Sequence, residues 1–400
     1  MAELYSLPDG WEWKPLISLT EVFSDGNWIE SKDQSDDGIR LIQTGNIGIG
    51  IFKDREDKSR FISESTFERL NCTEIYENDC LISRLPEPVG RSCLIPKMDL
   101  KLITSVDCTI VRFKESVLPK LFVYYSQSNY YFNMIMNNAT GATRLRISKK
   151  NLSNIPIPLP PLEEQKRIVA KLDILFAKID KAIALHQKNI DEADIFMASV
   201  LNDVFVELEE KYEKKQLNQI VIFGGKNIST LEYPNLIYFS LEDIETQTGK
   251  ILNYKTVNES RVKGTAVSFD DNVVLYSKLR PYLNKVIVPN LEGCATTELV
   301  VLKPKDKLDK YFLASYLRSS NIVSFLNNDS MGAKMPRTNM KTFRNLDIPL
   351  PPLQNQQKVV AYLDEISNKM EKIKQIQKEK MQSLKELKAS ILDKAFKGEL

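Results

Sequence analysis

The sequence predicts an α+β protein in which one globular unit occurs twice, each copy followed by a proline strap and a long helix. Three observations carry this prediction. The chain repeats itself without a gap at an offset of 191 residues, both copies contain the strap PLPPL, and an apolar pattern with heptad spacing follows each strap. A repeat of this kind sets the organisation of everything around it.

The repeat is plainest where residues 155–173, IPIPLPPLEEQKRIVAKLD, align with 346–364, LDIPLPPLQNQQKVVAYLD. Pro158 to Leu162 map onto Pro349 to Leu353, and Gln165 maps onto Gln356. Upstream, Gly141, Arg146 and Asn154 meet Gly332, Arg337 and Asn345, and the run from Val106 to Val111 meets Thr297 to Leu302. With small insertions, Ser83-Arg84-Leu85 resembles Ser277-Lys278-Leu279. The expected division is 1–160, a globular domain; 161–212, a central helix; 213–351, a second globular domain; and 352–400, a C-terminal helix.

Within the first globular copy, Ile39 to Thr44 reads as a strand closed by Gly45, and Leu121 to Met136 as a short helix with one apolar face. In the second, Asn272 to Ser277 and Lys285 to Pro289 read as strands, and Tyr311 to Phe325 as a helix. The straps follow from their prolines. Pro156, Pro158, Pro160 and Pro161 exclude helix and favour extended backbone, and a proline suits the first turn of the helix that comes next.

After Pro161 the apolar period becomes helical. Leu172, Phe176, Ile179, Ile183, His186, Ile190, Ala193, Met197, Val200 and Val204 alternate steps of four and three, a coiled-coil seam. About 50 residues of helix make a rod of roughly 75 Å. After Pro352 the same alternation returns at Leu363, Ile366, Met370, Ile373, Gln377, Lys380, Leu384, Leu387 and Ile391, with a stop expected near Phe396 because Gly398 follows. Residues 162–212 carry seven basic and eleven acidic side chains, and residues 353–400 carry ten and seven, so the rods have opposite net charge and suit each other. His186, the one histidine of the chain, maps onto Gln377. Two polar residues near the middle of the seams are expected to fix register at some cost in stability.

Composition excludes more than it names. Net charge is only +2 over 400 residues, so a nucleic-acid partner would have to be met by local patches. No apolar run reaches the ~18–20 residues of a membrane helix. The start of the chain lacks a basic segment followed by an apolar stretch, so no signal peptide is expected. Cys72, Cys80, Cys93, Cys108 and Cys294 form no CxxC pair and read as free thiols in a reducing, cytoplasmic compartment. There is no GxxxxGK[ST] phosphate loop, no Asn/Asp-Pro-Pro-Tyr/Phe tetrapeptide of an adenine methyltransferase, and no metal-ligand spacing.

Local patches do occur. The loops 141–146 and 332–337 place Arg144, Arg146, Lys334 and Arg337 beside glycines, with Lys149 and Lys341 just beyond. The stretch 277–285 interleaves Lys278, Arg280 and Lys285 with Tyr282, and its counterpart offers Arg84 and Arg91. Such cations neutralise phosphates, and arginine can also grip a guanine edge. Thr44 and Asn46, and Leu241-Glu242-Asp243 in the second copy, are candidate polar base contacts. Solvated surface charge is the competing reading of all of them.

These motifs together resemble the specificity (S) subunits of type I restriction-modification systems. The duplicated PLPPL segments match the two conserved regions of that family, as do KLRPYLNK at 278–285, ILDKAFKGEL at 391–400 and the opening LPDGWEWKPL at 7–16. The resemblance implies two tandem target-recognition domains, each reading one half of a bipartite, asymmetric site in double-stranded DNA. It further implies that the two long helices form an antiparallel coiled coil within a pseudo-twofold molecule, setting the spacer and docking two modification (M) subunits. Two restriction (R) subunits would complete the complex. The chain itself is then non-catalytic and holds no cofactor; S-adenosylmethionine, ATP and Mg belong to its partners. The alternatives are a single-chain DNA methyltransferase or nuclease, which would need the motifs missing above, and a scaffold without DNA specificity, which would not need paired basic loops.

Overall fold

The computed structural model describes residues 4–332 and 334–400. The described residues pack into two compact units, one of residues up to 186 with 379–400 and one within 187–378.

In the first unit, the strand Glu12–Pro15 pairs antiparallel with the strap Pro156–Leu159. A four-stranded antiparallel sheet runs in the order Thr20–Asp25, Cys108–Phe113, Cys80–Ser83, Ser92–Leu94. A second sheet sets Ile39–Ile42 between Phe61–Ile62 and Leu102–Thr104. The expected helix at 121–136 is two helices, Pro119–Tyr125 and Asn129–Asn138. Ser128 breaks the run: its backbone is extended and its hydroxyl accepts from the Tyr131 N–H as an N-cap.

The second unit repeats the plan. Lys214–Gln216 pairs with the strap Asp347–Pro349. The four-stranded sheet has the order Val221–Phe223, Leu299–Pro304, Val274–Ser277, Val286–Ile287. A five-stranded sheet is built on Thr265–Phe269, Gly293–Ala295 and Ile237–Phe239, flanked by Asn227–Ser229 and Lys255–Thr256. The helix expected at 311–325 is again two, Lys310–Arg318 and Ser320–Asn328, parted at the extended residue Ser319.

Each strap is fastened by one buried glutamine. Gln165 accepts from the Leu118 N–H (2.9 Å) and donates to the carbonyls of Ser116 (3.0 Å) and Pro160 (2.9 Å). Gln356 accepts from Asp309 N–H and donates to Lys307 and Pro351, each at 2.8 Å. Tyr125 donates to the Pro156 carbonyl and Tyr316 to that of Asp347. All these partners stand 191 residues apart in the sequence. The repeat therefore extends to individual hydrogen bonds.

The long helices run unbroken over Leu162–Lys211 and Leu353–Phe396. They pack antiparallel within each unit. In the first, Asp180 pairs with Lys388 at 2.9 Å and Arg167 donates to the Leu400 carbonyl. In the second, Asp194 pairs with Lys374 at 2.9 Å, Asn189 donates to Gln377 and Asn355 to the Tyr212 hydroxyl. Packing crosses the strap: Ile168, Leu172, Phe176 and Phe396 share one core with Val111, Phe122 and Tyr125, and Phe205, Leu208 and Leu363 share another with Val274, Phe312 and Phe343.

On the central helix Leu172, Phe176, Ile179 and Ile190 are buried, and Ile183, His186 and Met197 half-buried. On the C-terminal helix the stripe departs from the expected one. Leu363 is buried and Ile366, Met370, Gln377, Leu384 and Ile391 half-buried, but Ile373 (40% exposed) and Leu387 (48%) face out, as does Lys380. Lys374, Met381 and Lys388 take their places. A lysine fills a seam position by laying its methylene stem along the apolar surface while its ammonium reaches an acid on the facing helix. Lys388 also stands 4.5 Å over the Phe176 ring. A strict alternation of leucine-like residues has no way to register such a position.

Candidate nucleic-acid interface

The sequence candidates separate into buried and surface groups. Arg91 is buried, and all its donors go to backbone carbonyls: Nε to Ile47, Nη1 to Leu85, Pro86 and Pro88, and Nη2 to Thr44. Burial pulls its pKa down. Asn46 is also buried; it accepts from the Gln43 N–H and donates to Lys53, capping a turn to which Thr44 belongs. In the second copy Asp243 caps the matching turn by accepting from Ser240 N–H, and Lys285 donates to the Leu241 carbonyl as Arg91 does to that of Thr44. Burial lowers the Lys285 pKa, against the opposing pull of Glu242 and Asp243. Arg91, Lys285, Asn46 and Asp243 thus build the fold. The polar groups of Arg91, Asn46 and Asp243 are engaged within their own domain, and Lys285 is half-buried with one donor on a carbonyl.

Arg84 is likewise turned inward. It is buried, ion-paired with Asp25 at 2.9 Å, and donates to the Val106 carbonyl at 2.6 Å. Burial lowers its pKa, with Asp25 opposing.

The remaining candidates gather at the surface in each unit. In the first, Ala139–Thr140 pairs with Arg146–Ile147 to form a hairpin whose loop holds exposed Arg144. Gly141 sits at φ +125°, where an added Cβ would meet the Arg144 carbonyl at 2.3 Å, so the turn requires glycine. Arg146 pairs with Asp107 at 3.1 Å. The hairpin is stitched to the strand end at Arg84: the Ile147 N–H donates to the Arg84 carbonyl, and the Arg84 N–H to that of Asp107. Lys149 lies exposed on the next short helix, beside Lys150.

The second unit builds the same corner. Met331 and Arg337 form a β-bridge around the loop carrying exposed Lys334, and Gly332 has φ +100°. Ala333 of this loop lies outside the described residues. Arg337 pairs with Glu298 at 3.0 Å, and this hydrogen-bonded pairing raises its pKa. The Thr338 N–H donates to the Lys278 carbonyl, and the Lys278 N–H to that of Glu298. Arg280 is exposed, with its N–H on the Pro336 carbonyl, and Lys341 is exposed on the helix Met340–Arg344. Each corner therefore joins a cationic hairpin to a strand end, with an acid paired to the hairpin arginine, and is able to meet phosphates and base edges together. Asp107 and Glu298 carry no motif in the sequence; their signal is the shared offset with Arg146 and Arg337.

The model of the type I restriction modification DNA specificity domain matches residues 8–193 and 209–380. The chain belongs to this family. Among relatives of this specificity-domain family, the EcoDI specificity subunit of Escherichia coli is 26% identical over 72% of this chain and 71% of its own length. The EcoKI specificity subunit of Escherichia coli (strain K12) is 24% identical, covering 98% and 90%. The putative MjaX specificity subunit of Methanocaldococcus jannaschii is 24% identical, covering 96% and 92%. Two solved structures share the fold. One, from work on complex assembly and conformational transition of the type I R-M system, aligns at TM-score 0.75 with 23% identity, covering 99% of this chain and all of that one. The HsdS subunit from Thermoanaerobacter tengcongensis aligns at 0.55 with 23% identity, covering 99% of each.

Among the described residues no group of three or more His, Cys, Asp or Glu side chains could hold a metal ion. No helix of the described residues is long and apolar enough to cross a membrane.

Proposed function

We propose that this chain is the specificity subunit of a type I restriction-modification complex. Each globular copy reads one half of a bipartite, asymmetric site in double-stranded DNA, and the paired helices set the spacer and dock two modification subunits, to which two restriction subunits add. The domains 1–160 and 213–351 act as readers, and 161–212 and 352–400 as the rod. The chain positions DNA for its partners and performs no reaction itself.

The observation that supports this reading best is the duplicated cationic corner, built from the same hydrogen bonds in both units although the exposed residues differ. Arg144, Lys149 and Arg146 serve one half-site; Lys278, Arg280, Lys334, Arg337 and Lys341 serve the other. Two similar but unequal readers suit two unequal half-sites. The family match and the named relatives agree with it.

Footprinting of the chain assembled with its modification partner tests the reading. A protected site in two parts separated by an unread spacer is expected. Uniform protection without sequence preference contradicts it, and so does methyl transfer from S-adenosylmethionine to DNA by the purified chain alone.

A further inference from the structure

The Arg146–Asp107 and Arg337–Glu298 pairs stand at matching positions of the two corners, although the loop residues between differ (Thr143-Arg144 against Lys334-Met335). Placing a carboxylate in a corner that otherwise attracts phosphate weakens sequence-independent binding, since that binding depends on neutralising backbone charge. An acid retained there in both copies calls for a use that offsets this loss.

The pairs are neither buried nor fully solvated. Arg146 and Asp107 side chains are 41% and 30% exposed, and those of Arg337 and Glu298 47% and 25%. In the first pair one Nη2 contact is made at 3.1 Å. In the second, Nε and Nη2 of Arg337 meet Glu298 at 3.4 and 3.0 Å. The outer guanidinium donors, Nη1 above all, remain available to a ligand, and each carboxylate oxygen retains a lone pair. Each acid is located by the backbone, through the strand-end N–H of Arg84 or Lys278 on its carbonyl.

Side by side, the pair offers two hydrogen-bond donors and an acceptor on a preset plane. In the major groove guanine presents two acceptors, N7 and O6, and cytosine presents the N4 donor, whereas adenine replaces one acceptor with a donor. We propose that each arginine–acid pair reads one G·C base pair of its own half-site, the guanidinium donating to guanine N7 and O6 and the carboxylate accepting from cytosine N4. The inference rests on the function proposed above. Holding the arginine before DNA arrives reduces the ordering cost of binding.

The experiment uses the full chain assembled with its modification partner, selecting from duplex libraries randomised in both half-sites. Arg146→Ala and Asp107→Ala are each expected to relax one shared G·C position of the same half-site by tenfold or more, with the other half-site read as before. Arg337→Ala and Glu298→Ala do the same for the opposite half-site. Retained preference at the other positions of the same half-site certifies that the altered domain folds in each variant, and loss of that whole half-site overturns the inference. Placing 7-deazaguanine at the relaxed position should weaken binding by the unaltered chain and leave Arg146→Ala unaffected. Weakening spread evenly over all sequences, relaxation at an A·T position, or unchanged preference overturns the inference while leaving the two-part site standing. An unaltered assembly without a two-part preference overturns both.

Discussion

Arg91 and Arg146 both follow a glycine-containing segment, and nothing in the local sequence tells them apart. Their surroundings do. Each guanidinium nitrogen of Arg91 donates to carbonyls of its own domain, whereas Arg146 makes one ion pair and its side chain is 41% exposed. Arg91→Ala should therefore cost about 3 kcal/mol or more of stability, because several buried carbonyls lose a charged donor. Chemical denaturation measures that cost, and base selection by the surviving folded protein should be unchanged. Altered base preference at normal stability would mean that Arg91 faces DNA after all. Lys285→Ala should follow the same direction in the second domain with a smaller loss, since it holds one carbonyl. The cationic loops were legible in the sequence as candidates. Their sorting was not, because burial of an arginine depends on carbonyls brought in from Thr44 and Ile47, more than 40 positions away.

At the scale of elements, the strap and its glutamine are the connection that makes a domain and a helix into one body. Gln165→Ala leaves the half-buried Leu118 N–H without its side-chain partner, and Gln356→Ala does so for Asp309. Each should destabilise its own unit by about 1–3 kcal/mol. Urea unfolding followed by probes in each unit checks this, and a loss shared equally by both units for either variant would speak against a local clamp. The helix seam gives a second test. Ile373→Gln and Leu387→Gln should change stability by no more than about 0.5 kcal/mol, the usual range for exposed sites. Ile179→Ala should cost about 2–5 kcal/mol. Both helices were readable from their heptad patterns, their starts from PLPPL, and the end of the C-terminal one from Gly398. The phase of the C-terminal seam was not, because Lys374 and Lys388 enter it by their stems. The two broken helices near Ser128 and Ser319 escaped for a related reason: apolar periodicity continues across an extended serine even though the helical backbone does not.

For the whole molecule, the function proposed above makes the paired helices a ruler between two readers. The duplication, the strap and the family resemblance were all legible in the residues themselves, which is why the architecture could be anticipated while the strand order could not. Sheets such as Thr20–Asp25 beside Cys108–Phe113 join segments too far apart for periodicity to pair them. The most direct test of the central claim is to delete one heptad from the middle of each long helix and map the DNA site bound by the assembled complex. Seven helical residues span roughly 10 Å, about three base-pair steps of DNA. The ruler predicts the same two half-site sequences with a spacer changed by about that amount. An unchanged spacer, or loss of the half-site sequences themselves, would contradict it.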